Sequence, residues 1–235
     1  MIVRRHQDQL LLIRQPDHAH LSRTLMTRWT RDGFADHPRR EIILLATGEH
    51  DNGWTELDEA PILDTSSGRI LDFIQASDDV RQSVWPRGVH RLQDEPYAAA
   101  LVAQHALNVY RDNRDDPAWS GFMAHMEELR GHYLGRAVPL GLDELLADYF
   151  FVRMGDLVSL FFANGWPGPR TETGYTVRGT PEGLGIEPDP FDGSRVPMTL
   201  AGRVLPSAPF ADASAAKRAY DAASTVILTA TASGA

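Results

Sequence analysis

One carboxylate constrains the fold of this chain more than any other feature. Asp156 falls in line, at helical spacing, with Leu145, Tyr149, Val152 and Leu160, in a stretch that ends Leu157-Val158-Ser159-Leu160-Phe161-Phe162. A helix this apolar has to be packed against other elements, and a carboxylate on its buried stripe is costly unless it is paired or bound to a cation. Arg153, three residues earlier, offers an ion pair, and a metal ion is the other solution. Asp148, on the same helix, reads as solvent-facing.

Other ionisable side chains fall on apolar faces too. His18 shares a face with Leu21, Leu25 and Trp29, whereas His20 lies with Arg23, Thr24, Thr27 and Arg31, so His18 points inward and His20 outward. His50 follows Ile43 and Ala46, and Asp51 follows Leu44, which puts the pair at the edge of an apolar stripe. Neighbours on a helix diverge by about 100°, an angle that still lets an imidazole and a carboxylate meet one ion at about 2.0 to 2.2 Å. A simpler alternative makes Asp51 a helix-end polar residue and Gly53 a C-terminal cap. His105, among Ala98, Leu101, Val102 and Val109, reads either as a ligand or as a hydrogen-bonded core histidine. His6, His37, His90, His125 and His132 receive no role.

The absence of cysteine excludes disulfides, iron-sulfur clusters and thiolate zinc sites, so a metal here has to be held by His, Asp, Glu, backbone or water. An excess of 32 Asp and Glu over 23 Lys and Arg argues against a nucleic-acid partner. The apolar run Leu10 to Ile13 is too short for a signal-peptide core, and nothing approaches a membrane span of about 20 residues. A cytoplasmic protein without a membrane partner is expected.

The 235 residues are expected to form a single domain. The predicted fold class is mainly α (α+β), with five or six helices over 17–163 and β-containing flanks at 1–15 and 165–235. A hairpin is predicted from residues 2–5 and 9–14 across His6-Gln7-Asp8. Helices are predicted from Pro16 to about Trp29, from Pro38 to near Gly53, over 69–85 with Pro86 as the stop, from Pro96 through Tyr110, and over 117–136 and 142–163. Residues 55–68 read as loop. Residues 165–212 read as irregular, with short β pieces at 174–178 and 195–204, and a helix at 214–223 precedes a strand at 225–229. That strand is expected to join the N-terminal hairpin in a small antiparallel sheet.

In chain order the inward-facing set is His18, His50-Asp51, His105 and Asp156. This order resembles the HD-domain metal-dependent phosphohydrolase superfamily, in which a His on an early helix, a His-Asp pair on the next and a distant Asp on a late helix bind metal. The resemblance covers 17–163 and implies an HD-like helical core with His18, His50, Asp51 and Asp156 as ligands, joined by His105 and, in the fuller sets of some members, His90. Several HD families carry Lys four residues after the His of the pair, where this chain has Trp54. Separately, Met1-Ile2-Val3-Arg4-Arg5, Gln15-Pro16-Asp17-His18, His50-Asp51-Asn52-Gly53-Trp54 and Ala100-Leu101-Val102-Ala103-Gln104-His105 resemble a bacterial family of unknown function. That likeness implies that hairpin, helices and C-terminal strand belong together.

The leading functional expectation is a metal-dependent hydrolase of a small phosphate ester or nucleotide, using one or two divalent ions (Fe, Mn, Zn, Ni or Mg). Asp51 would ligate and orient water, and His105 would serve as ligand, general acid or oxyanion contact. Arg23 or Arg153 would neutralise substrate charge, and Asp58, in the loop after the pair, would border the site. Two alternatives stay open: a non-catalytic metal-binding or regulatory module, and a two-iron oxygenase of HD type. Trp166 is a candidate to close a pocket.

Overall fold

The computed structural model describes residues 1–6 and 8–235, with His6 described by its backbone alone, so Gln7 of the expected hairpin turn lies outside the described residues. Strands β1 (Ile2–His6) and β2 (Gln9–Ile13) pair antiparallel, with Ile2 opposite Ile13. Helices α1 (Gln15–Met26) and α2 (Arg40–Glu49) follow, and then a short excursion holds the two-residue strands β3 (Leu63–Asp64) and β4 (Arg69–Ile70). Four more helices come next: α3 (Asp78–Arg91), α4 (Pro96–Val109), α5 (Pro117–Arg136) and α6 (Leu142–Asn164). The chain then runs through β5 (Arg170–Glu172), β6 (Tyr175–Thr180), β7 (Gly183–Glu187) and β8 (Val196–Pro206) to α7 (Ala213–Ala222) and β9 (Thr225–Gly234).

Local chemistry sets the helix ends. Pro16, Pro96 and Pro117 occupy first turns, where a missing N–H costs nothing. The Asp116 carboxylate accepts from Ala118 N at 2.9 Å, and Gly141 N donates to Glu144 Oε2 at 3.0 Å. At the far end of α6, Gly165 turns the chain at φ 62°.

The expected HD-like helical body with a small sheet is not what forms. The chain is 48% helical and 21% strand, and its strands build a large curled mixed sheet of seven in the order β1-β2-β8-β9-β7-β6-β5. The C-terminal strand β9 reaches the hairpin only through β8, which lies antiparallel to both β2 and β9, and β9 runs parallel to β7. Within the stretch 165–212, read as irregular with short β pieces at 174–178 and 195–204, those pieces form β6 and the longer β8, which alternates cleanly, burying Val196, Met198 and Leu200 and exposing Pro197 and Thr199. Its pairing is long-range, which local composition cannot report.

The helix expected over 69–85 is also corrected. Arg69–Ile70 is strand, and α3 starts at Asp78, where the Ser77 hydroxyl accepts from Val80 N. It continues through Pro86 to Arg91, held by close packing on the turn at Asn52–Trp54: a Cβ on Gly53 would stand 2.0 Å from the Val84 carbonyl oxygen. Gly53 is therefore a point of close approach, not a helix cap.

The helices pack against the sheet. Trp29, after α1, lies 5.0 Å from the Tyr175 ring of β6 and 6.1 Å from Phe191, joining the two layers. Helix α6 crosses α1 and α2 so closely at Gly155 that a Cβ there would fall 2.8 Å from Thr47 and 2.9 Å from Met26. This contact places the next residue, Asp156, between α1 and α2.

Candidate metal centre

Five ionisable side chains converge where α1, α2, α4 and α6 meet. His18 lies on α1, His105 on α4 and Asp156 on α6. His50 closes the C-terminus of α2, and Asp51 follows at φ −110°, already turning out of the helix into Asn52–Trp54. All five are at least nine-tenths buried. His18, His50 and Asp51 form one group of possible metal donors and His50, His105 and Asp156 another, the donor atoms of each lying within 4.8 Å of one another.

His50 stands at the shared vertex. Its Nε2 is 3.6 Å from Asp51 Oδ2 and 3.5 Å from Asp156 Oδ1, and it has no hydrogen-bond partner among the described residues. Its Nδ1 donates to the Thr47 carbonyl at 2.7 Å, which can only accept, so in the neutral ring Nε2 is a bare lone pair facing two carboxylates. A proton or a metal ion has to stand there. Two ligands about 2.1 Å from one ion are about 3.0 to 3.4 Å apart at cis or tetrahedral angles, close to the separations observed.

The other imidazoles are oriented in the same way. His105 Nδ1 lies 3.0 Å from the Tyr149 hydroxyl, leaving Nε2 directed at Asp156 Oδ2, 3.8 Å away. His18 Nδ1 lies 3.0 Å from Ser159 Oγ, and its Nε2 meets Asp51 Oδ2 at 2.7 Å. Ser159 can donate to the Asp156 carbonyl at 3.0 Å and lies 2.6 Å from the Ser22 hydroxyl, so it can receive a proton from His18 Nδ1 or give one to it. His18 thus has access to both tautomers: one donates Nε2–H to Asp51, the other leaves Nε2 free for a cation. Outer partners of this kind fix ring orientation and donor basicity in metal sites.

Electrostatics separates the histidines. Burial lowers the pKa of His50, but the charge of Asp51 and the contacts of Asp156 outweigh it and raise the value to about 9. Burial dominates at His105 and pushes it down to about 3, so this ring is neutral and needs to shed no proton to bind a cation. Burial also opposes the charge on Asp51 and Asp156, yet the surrounding histidines, with Arg153 at Asp156, hold both below the ordinary carboxylate range. The ion pair offered by Arg153 does form: Nη1 donates to Asp156 Oδ2 at 3.0 Å, while the same guanidinium grips Glu172 at 2.6 and 2.8 Å. It engages Oδ2 and leaves Oδ1 facing His50.

Above the cluster opens a cleft of about 340 Å³ whose lining includes Asp51, His105, Asp156 and Arg153, with Trp166 among its aromatic residues. Arg23 and Asp58 do not line it. Arg23 is exposed, its stem lying over Gly48. Asp58 is buried, with Oδ1 2.6 Å from the Met1 ammonium and Oδ2 accepting from Gln15 N at 2.5 Å. His90 is exposed on α3, which removes it from the donor set. Asp148 is not solvent-facing as expected: it is 1% exposed and accepts from Arg39 at 2.5 and 2.9 Å and from Tyr97 at 2.7 Å, with His37 Nε2 at 3.2 Å. The first turns of α6 expose Leu142 and Leu146 and bury Asp148 instead, so there the apolar positions do not mark the inner face. Sequence reasoning missed Ser22, Ser159 and Tyr149 as outer partners, although Ser22 lies one turn after His18 and Ser159 one turn after Asp156.

A helical body backed by a curled mixed sheet, with three imidazoles and two carboxylates turned on one another, defines a candidate metal-binding protein. The chain belongs to the family described as "Protein of unknown function (DUF3891)", whose model matches residues 1–207 and so takes in every donor named here. No curated protein and no solved structure matches it. Among the described residues no helix is long and apolar enough to cross a membrane.

Proposed function

We propose that the protein is a metal-dependent hydrolase holding a single divalent ion at His50, with further donors drawn from His18 and Asp51 on one side and His105 and Asp156 on the other. The observation that carries this reading is the buried, unpartnered His50 Nε2 between two carboxylates. With Nδ1 committed to Thr47, His50 has one nitrogen to give, and both donor groups run through it. That favours one ion over two and counts against a two-iron oxygenase. A nitrogen and oxygen donor set without thiolate suits Zn, Fe, Mn or Ni better than Mg.

Bound there, a divalent ion supplies a Lewis acid and a water acidic enough to ionise near neutral pH. The chain's own groups do the rest. Asp51, on the cleft side, accepts a proton from an attacking water. Arg153, anchored by Glu172, holds Asp156 Oδ2 and so keeps Oδ1 turned to His50. Burial raises the pKa of the Tyr149 hydroxyl, so it stays protonated and holds the His105 ring. The order of donors along the chain resembles that of HD-type phosphohydrolases, although the fold does not, which makes a small phosphate ester the substrate to try first.

The cleft that reaches three of the donors favours catalysis over a closed structural ion. The test is hydrolysis of 4-nitrophenyl phosphate by protein reconstituted separately with Zn, Mn, Fe and Ni. Metal-dependent turnover that disappears in Asp51→Asn is expected. Metal uptake without turnover under any ion would refute the hydrolase and leave a binding module.

A further inference from the structure

The lining of the cleft narrows what it can take. One wall is aromatic and begins at the metal donors themselves: the Trp85 ring lies 5.5 Å from that of His105, and Tyr110 follows at 6.1 Å. Trp54, Phe73 and Trp166 line the same space. Aromatic surface facing an opening this small suits a flat ring stacked or set edge-on.

The cations of the cleft are already matched. Arg153 is held by Asp156 and Glu172. Arg81 bonds Asp78 at 2.5 Å and lies over the rings of Tyr110 and Trp119. Arg111 faces Asp112 at the exposed rim, 3.8 Å away. A divalent ion would be balanced by Asp51 and Asp156, and each guanidinium of the cleft already has an acidic neighbour, so beyond the ion a chain of phosphates would find only the unpartnered Arg81 Nε to engage without competing with an existing pair.

Four lining residues, Gln15, Arg81, Trp85 and Asn108, nevertheless hold buried side-chain polar atoms with no hydrogen-bond partner among the described residues. Gln15 Oε1 is an acceptor on a side chain 2% exposed, and Trp85 Nε1 is a donor on one 4% exposed, facing the Tyr110 hydroxyl outside bonding geometry. Such atoms are expensive to leave unmet, and a ligand with a polar edge would satisfy them.

We infer that the site accepts an aromatic or heteroaromatic compound carrying one oxyacid group for the metal, and not a polyphosphate. The inference rests on the metal site proposed above. It is tested by calorimetric titration of the metal-loaded protein with phenylphosphonate, methylphosphonate and tripolyphosphate, none of which needs to be turned over. Phenylphosphonate is expected to bind at least about ten-fold more tightly than the other two, and Trp85→Leu to erase most of that preference. Equal affinity for the phenyl and methyl compounds, tightest binding of tripolyphosphate, or no binding of any would overturn it. The comparison within the wild type keeps the test decisive even if Trp85→Leu fails to fold. Phenyl preference without hydrolysis of 4-nitrophenyl phosphate would refute the hydrolase and leave the ligand class standing, whereas turnover of aryl and alkyl phosphates alike would do the reverse.

Discussion

Asp156 Oδ1 lies 3.5 Å from His50 Nε2, and no hydrogen bond joins them. Helix α6 reaches this position because Gly155 lets it sink between α1 and α2, and His50 faces it because the Thr47 carbonyl holds the other ring nitrogen. A proton on Nε2 or a shared cation has to stand between them.

The pH dependence of the metal-stripped protein follows from this geometry. His50 titrates near 6.5 when unfolded and at about 9 when folded, so its proton stabilises the fold fully below pH 6.5 and that stability is lost as pH rises through 9. The amount is on the order of 3 kcal/mol. Thermal melts of chelated protein should therefore show Tm falling between pH 7 and 9. Metal has to displace that proton, so metal affinity should rise over the same interval. Parallel trends in the two measurements would contradict the shared site.

Tyr149→Phe removes the hydroxyl beside His105 Nδ1 and leaves the ring free to turn. Metal affinity should fall by about 10- to 100-fold with the fold retained. Competition with a chromophoric chelator measures it, and an unchanged affinity would remove Tyr149 from the site.

Gly155→Ala places a methyl group where Thr47 and Met26 already stand. The helices must part, at a cost of about 1–3 kcal/mol, and Asp156 must withdraw from His50. Denaturant unfolding and metal titration should both register the change. Loss of stability with undiminished metal binding would mean that Gly155 does not set the position of Asp156.

Asp148→Ala supplies the contrast on the same helix. It strands Arg39, Tyr97 and His37 and should cost about 3 kcal/mol, but metal affinity should hold, because none of these side chains belongs to the donor set. A metal deficit at equal folded fraction would show that the two carboxylates are coupled.

These carboxylates also mark how far the sequence can be read. His18, His105 and Asp156 were visible because each interrupts an apolar stripe, and a helical stripe is a local property of the chain. Asp148 was misplaced because the first turns of α6 expose Leu142 and Leu146 while Asp148 is buried against Arg39 and Tyr97, partners distant in the chain. The strands at 174–178 and 195–204 were legible, but not the sheet they join, because its order rests on pairings distant in the chain, with Gly183 opposite Thr231 and Leu205 opposite Leu10. Helix α3 outran Pro86 because Gly53 and Gly88 allow the backbones to touch, a tertiary cause that no local stop signal conveys.

Metal content of the purified protein tests the central claim most directly. After reconstitution and desalting, inductively coupled plasma analysis should find about one divalent ion per wild-type chain and almost none in His50→Ala, since both donor groups run through that nitrogen. Full occupancy in the variant, or no uptake by the wild type, would contradict the account.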